Sequence, residues 1–191
     1  LDELFFYLNV QQTGHGKYSP LLAPFEADFP VPPLLADALG ADVASVNVWA
    51  AYATSPSVVF NSSLHNDERD NMYILLRGQK AFRVFPPTAA LDLYPLGNMA
   101  AFDRTSGKIR YSRPNTRAEP LFPHFAAVRN PYDVDTNRFP RAANLQPVDF
   151  TLAPGHVLYL PSSWFHHVSS LAGRDSQSIA INFWWTYKPK P

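Results

Sequence analysis

Apolar residues recur along the chain in short runs that alternate with polar positions, broken by proline, glycine and asparagine. That period of two is the signature of half-buried strands. Leu4-Phe-Phe-Tyr-Leu-Asn-Val10 predicts a strand, followed by a loop over residues 11–23. Pro32-Pro33 ahead of Leu34-Leu-Ala-Asp-Ala-Leu39 and Gly40 predicts a short helix, with proline in its first turn and glycine at its stop. Val46-Asn-Val-Trp-Ala50 is a strand. A turn over 51–56 and the run Val58-Val-Phe60 follow. Residues 71–76 and 80–85 flank Arg77-Gly-Gln79, a glycine-containing connection that predicts a hairpin ended by Pro86-Pro87. Residues 149–152, 157–160, 164–169 and 178–187 are four further strands, with Ala153-Pro-Gly-His156 and Pro161-Ser-Ser163 as tight connections. Many short strands separated by turn residues predict a mainly β fold. The expected form is a double-sheet, jelly-roll barrel with a few short helices.

The stretch 88–148 does not fit this rhythm. It is long, proline-rich and poorly periodic, and it is expected to be an irregular insert within a single domain spanning 1–191. Its eight basic residues (Arg104, Lys108, Arg110, Arg113, Arg117, Arg129, Arg138, Arg141) face five acids. Its aromatics, among them Tyr94, Phe125, Tyr132 and Phe139, argue for packing rather than disorder.

Composition narrows the function. The formal net charge is zero, which argues against general electrostatic attachment to nucleic acid or an anionic membrane. There is no cysteine, so disulfides and thiolate zinc sites are excluded. No apolar run reaches the roughly 18 residues of a membrane span, and Leu1-Asp-Glu-Leu4 is not a signal peptide. A cytoplasmic or nuclear location is expected. The chain begins without Met in sequence that already reads as folded, so an N-terminal portion is expected to precede it.

Candidate chemistry centres on His65-Asn-Asp67. Residues two apart on a strand share a face, so this imidazole and carboxylate can hold one metal ion. A third ligand is available downstream in Trp164-Phe-His-His-Val168, from His166 or His167. Two imidazoles and one carboxylate on one face of a metal suit a non-heme Fe(II) centre that activates oxygen. Zinc in a hydrolase is the rival.

These residues also carry a resemblance. Ser62-Ser-Leu-His-Asn-Asp67, Asn71, Gly78-Gln-Lys80, Phe85-Pro-Pro87, the Pro154-Gly … Trp-Phe-His-His-Val168 stretch and Ile181-Asn-Phe-Trp184 resemble the JmjC (cupin-like) 2-oxoglutarate oxygenases. The nearest resemblance is to the small JmjC-only protein hydroxylases. They include the asparaginyl hydroxylase that inhibits hypoxia-inducible factor and, more similar, the lysyl hydroxylase of developmentally regulated GTP-binding proteins.

The resemblance implies a double-stranded β-helix (jelly-roll, cupin) barrel. It implies Fe(II) on His65, Asp67 and His166, with His167 packing on the opposite face. Lys80 and Tyr7 would bind the distal carboxylate of 2-oxoglutarate, with Ser62 where the family often has threonine. Asn71 and Asn182 would line the co-substrate pocket. Trp49, Trp164, Trp184 and Trp185 are assigned to the core, His124 and His156 to the surface. The implied activity uses O2 to hydroxylate a protein or peptide side chain, yielding succinate and CO2. N-methyl-lysine demethylation, tRNA-base hydroxylation and an inactive binding scaffold are the alternatives. Asn66 and Glu68-Arg-Asp70 depart from the lysyl hydroxylase pattern, which leaves the protein substrate open. Helices through which relatives dimerise are not found before Pro191, so dimerisation is left open too.

Overall fold

The computed structural model describes residues 5–11, 17–35, 41–53, 59–97, 99–103, 108–111, 125–171 and 176–187. The described strands are β1 (Phe5–Val10), β2 (Ala41–Ala53), β3 (Val59–Asn61), β4 (His65–Asn66), β5 (Asp70–Arg77), β6 (Gln79–Phe85) and β7 (Pro95–Gly97). They continue with β8 (Met99–Asp103), β9 (Lys108–Tyr111), β10 (Phe125–Ala126), β11 (Val148–Leu152), β12 (Val157–Leu160), β13 (Phe165–Leu171) and β14 (Gln177–Tyr187).

Two antiparallel sheets result. The first runs β1-β2-β14-β5-β12, and the second runs β11-β6-β13-β4-β10-β7 with β3 also on β13. The chain changes sheet at each step from β11 to β12 to β13 to β14, as a double-stranded β-helix requires. The mainly β jelly-roll expectation is met.

The predicted hairpin over 71–85 is not formed. β5 belongs to the first sheet and β6 to the second. Both edges of β5 are taken by β14 and β12, and both edges of β6 by β11 and β13. The connection is a corner between sheets, turned at Gly78 with φ +79. The alternating residues of the two strands therefore meet face to face. Tyr73 and Leu75 pack with Phe82, Val84, Leu152, Leu160 and Ala180, and the Tyr73 ring meets Phe82 edge-on at 5.6 Å. A Cβ on Gly78 would lie 2.8 Å from the Gln177 carbonyl oxygen and 2.9 Å from that of Leu171. Positive φ and this clash together predict that Gly78→Ala destabilises the fold by about 2–4 kcal/mol, read as a lower denaturant midpoint at unchanged slope.

β2 is longer than the predicted 46–50. Its alanines and Ser45 have modest strand preference, but β14 pairs with it from Ala41 to Tyr52, and pairing decides. The outer face of the first sheet is covered by the segment 17–35. Tyr18, Phe29, Val31 and Leu35 close over Val46, Ile181, Phe183 and Trp185. Each side chain buried there contributes about 1.5–3 kcal/mol relative to exposure. Of the predicted helix, residues 36–40 lie outside the described residues, as do 54–56 of the predicted turn and Val58 of the run that follows it.

Within 88–148, a few of the described residues reach a packed core. Two 3-10 helices, Pro87–Leu93 and Pro140–Asn144, bring Leu93 and Ala142 against Leu64, Phe85, Val128 and Phe165. Among the described residues no helix is long and apolar enough to cross a membrane.

Candidate functional site

β4 and β13 run antiparallel with His65 directly opposite His166. Both side chains point into the barrel, and the ring centroids are 4.3 Å apart. Asp67 follows β4, where its carbonyl accepts from Ser163 N–H at 2.7 Å and so ties the β12–β13 connection to the end of β4. The Asp67 Oδ2 lies 3.7 Å from His166 Nε2. One ligand atom from each of His65, Asp67 and His166 lies within 4.8 Å of the other two, the one such group of three among the described residues.

The backbone sets the tautomer of each ring. His65 Nδ1–H donates to Ser63 O at 2.6 Å, and His166 Nδ1–H donates to Trp164 O at 3.1 Å. Each imidazole is bonded to the carbonyl two residues before it, which leaves its Nε2 lone pair for a metal. Phe125 stacks on His65 at 5.7 Å. Burial and the neighbouring His65 push the His166 imidazole down to about 4, so it is neutral at neutral pH and ready to ligate.

His167 faces the other way, as alternation requires. It is buried against Tyr132, whose ring meets it edge-on at 5.5 Å, and its Nδ1 has no hydrogen-bond partner among the described residues. Arg83 lies over Tyr132 at 3.9 Å and forms a two-pronged bond with Asp149 at 2.8 and 2.6 Å. This cluster braces the back of β13. His166→Ala is predicted to lower metal affinity more than roughly 100-fold, beyond the loss typical of a supporting residue, whereas His167→Ala leaves it unchanged. Metal titration of the two variants checks this, and the reverse order would move the ligand to His167.

The three residues line a cavity of about 250 Å³ between the sheets. Lys80 reaches it from β6 and is only 3% exposed. Its Nζ donates to Ser170 Oγ at 2.5 Å, and it has no carboxylate partner among the described residues. Burial pulls the ammonium down to about 8. Ser62 also lines the cavity. Its Oγ accepts from Val168 N–H at 2.9 Å, so its own O–H is available as a donor. Tyr7 stacks on Phe60 at 4.6 Å, and burial pushes its hydroxyl up to about 12, which keeps the O–H a donor at neutral pH. Asn71 and Asn182 line the same cavity and bond to each other at 2.9 Å. The structure thus gathers all eight residues singled out from the sequence around one space.

The profile of the cupin-like domain family matches residues 7–190. The chain belongs to this family. Lysine-specific demethylase JMJ32 of Arabidopsis thaliana is 32% identical, with 78% of this chain aligned to 44% of that protein. The human bifunctional peptidase and (3S)-lysyl hydroxylase JMJD7 is 30% identical, over 80% of this chain and 45% of that one. JmjC domain-containing protein E of Dictyostelium discoideum is 28% identical, over 98% and 55%. The chain spans about half the length of the curated relatives it matches.

This cupin-like JmjC domain also uses residues that the sequence reading passed over. Trp49 and Trp164 pack on the inner core and Trp185 is buried in the outer one, but Trp49 also lines the cavity, as does Trp184. Trp49 Nε1–H donates to Asn182 Oδ1 at 2.9 Å, and Asn47 Nδ2 to the same oxygen at 3.1 Å. Tyr73 lines the cavity opposite Asn182, its hydroxyl raised by burial and by nearby Tyr7. Ser170 was within reach of the pattern, since 166, 168 and 170 share one face of β13. His156 is exposed, its Nδ1 accepting from Ala153 N–H at 3.3 Å, while His124 lies outside the described residues.

Proposed function

We propose that this domain is an Fe(II)- and 2-oxoglutarate-dependent oxygenase that hydroxylates a side chain of a protein or peptide. One observation carries the reading. A single cavity joins three convergent metal-ligand atoms to a buried cation that lacks a carboxylate partner among the described residues. A buried ammonium needs an anion, and a dicarboxylate that reaches from the metal to Lys80 supplies one. Two imidazoles and a carboxylate leave one side of a metal open, which fits iron in an oxygenase. A zinc hydrolase would use the same ligands but give Lys80 no task.

His65, Asp67 and His166 would hold the metal. Bound iron supplies the oxygen chemistry, in which 2-oxoglutarate is oxidised to succinate and CO2 and one oxygen atom enters a substrate C–H bond. Lys80, backed by Ser170, forms a charge-assisted bond with the distal carboxylate. The Ser62 and Tyr7 hydroxyls add neutral donors to the cavity wall. Phe82, Leu158, Leu160 and Val168 add apolar wall to the same cavity.

The names of the relatives, a lysyl hydroxylase and a lysine-specific demethylase, support lysine as the target side chain. Demethylation is a second reading, favoured by the similarity to JMJ32, because hydroxylation of an N-methyl carbon followed by loss of formaldehyde removes the methyl group. The test is to incubate the protein with Fe(II), 2-oxoglutarate and air, follow succinate, and screen captured peptides by mass spectrometry. A gain of about 16 Da, one oxygen atom, marks a hydroxylase. Formaldehyde with loss of a methyl group marks a demethylase. No succinate under any condition leaves a binding scaffold.

A further inference from the structure

Trp49, Asn182 and Asn71 form a chain of hydrogen bonds across the inner face of the first sheet. Trp49 Nε1–H donates to Asn182 Oδ1 at 2.9 Å, and Asn182 Nδ2 donates to Asn71 Oδ1 at 2.9 Å. Asn71 is 5% exposed and Asn182 1%. A mismatched pair between groups buried this deeply is costly, and each amide takes the orientation its neighbours allow.

A side-chain amide turned end for end keeps its shape but exchanges donor for acceptor, so something else must decide its direction. The indole nitrogen is a donor only. Facing it, Asn182 must present Oδ1, because the other orientation would set two donors against each other. Asn182 Nδ2 is thereby turned toward Asn71, which must answer with Oδ1. What remains for the cavity is Asn71 Nδ2. Asn71 lines the same space as His65, Asp67, His166 and Lys80. The amide of Asn47 does not have this power, since it can itself turn.

We infer that Trp49 is a positioning residue that, through Asn182, holds Asn71 with its N–H donors toward the cavity, where an oxygen of the bound co-substrate accepts from them. The inference rests on the 2-oxoglutarate reading above. Without the indole N–H, Asn182 is free to turn, and Asn71 then spends part of its time with its carbonyl oxygen toward an anionic ligand.

A double-mutant cycle read by calorimetric titration of 2-oxoglutarate into metal-loaded, oxygen-free protein tests this. Trp49→Phe keeps an aromatic ring and removes the N–H. It is expected to weaken 2-oxoglutarate binding about tenfold, the size of one hydrogen bond to a charged group, with metal affinity unchanged. Asn71→Ala is expected to lose about the same. The double variant should also lose about tenfold rather than a hundredfold, because Trp49 acts only through Asn71. A purely structural role for Trp49 would give independent losses that multiply. If Trp49→Phe is insoluble, Asn182→Ala replaces it in the same cycle, with the same absence of a further loss on top of Asn71→Ala. Wild-type affinity in Trp49→Phe, or multiplying losses, overturns the inference alone. Failure of the wild-type protein to bind 2-oxoglutarate overturns the co-substrate reading, and the inference with it.

Discussion

Asp67→Ala is expected to abolish metal binding and turnover together. Asp67 is the one anionic group of the three, and its carboxylate sits 3.7 Å from His166 Nε2. Removing it leaves a divalent cation facing two neutral imidazoles. Loss of a supporting residue around a metal ligand typically costs 10–100-fold in affinity, and loss of the charged ligand itself should exceed roughly 100-fold. The fold should survive. The Asp67 side chain is 23% exposed, and the bond from Ser163 goes to its backbone carbonyl, which alanine retains. Chelator-competition titration with Fe(II), run beside a succinate assay on the same preparations, checks both halves. Undiminished affinity in Asp67→Ala would remove the carboxylate from the site.

Lys80→Ala is expected to leave metal affinity intact and weaken 2-oxoglutarate by two to three orders of magnitude. Its Nζ is held on Ser170, not among the metal-ligand atoms. The distal carboxylate would be left buried without its cation, at a cost of about 3–5 kcal/mol, and every 1.4 kcal/mol is about tenfold in affinity. Lys80→Arg should recover only part of this, since a planar fork does not replace a point charge at the end of a fixed reach. The measurement is the KM for 2-oxoglutarate in the succinate assay.

The same lysine predicts a pH dependence. Burial lowers its pKa to about 8, so in the free protein the cation is lost as pH rises through that value. Binding a carboxylate favours the protonated form, and above about pH 8 the protein must take up a proton to bind. Affinity for 2-oxoglutarate should therefore be flat below pH 8 and fall with a slope approaching tenfold per pH unit above it. A slope that persists in Lys80→Ala would assign the titration to another group.

The metal group was legible because strand alternation is local. His65 and Asp67 share a face wherever the backbone is extended, although β4 itself ends at Asn66. The same rule puts His166 and His167 on opposite faces, while the choice of His166 came from the family resemblance. What could not be read locally depends on which strands become neighbours. Arg77-Gly-Gln79 has the composition of a hairpin turn, and the same three residues serve equally well as a corner between sheets. The choice was made by β14, β12, β11 and β13, which occupy every edge that β5 and β6 could have offered each other. Trp49 was assigned to packing for the same reason. Its polar edge has a purpose only when β14 lies beside β2 and puts Asn182 within reach. The stretch 88–148 showed no period because its described core contacts come from single turns and short bridges, Leu93, Ala126, Val128 and Ala142, not from long strands.

The central claim is that one cavity binds a metal and 2-oxoglutarate together. It is tested most directly by titrating 2-oxoglutarate into the wild-type protein under exclusion of oxygen, with Fe(II) present and with Fe(II) removed, and repeating the metal-loaded titration with Lys80→Ala. The expected result is saturable binding that is strong only when the metal and Lys80 are both present. Equal affinity with and without the metal, equal affinity in Lys80→Ala, or no binding by the wild-type protein would contradict it.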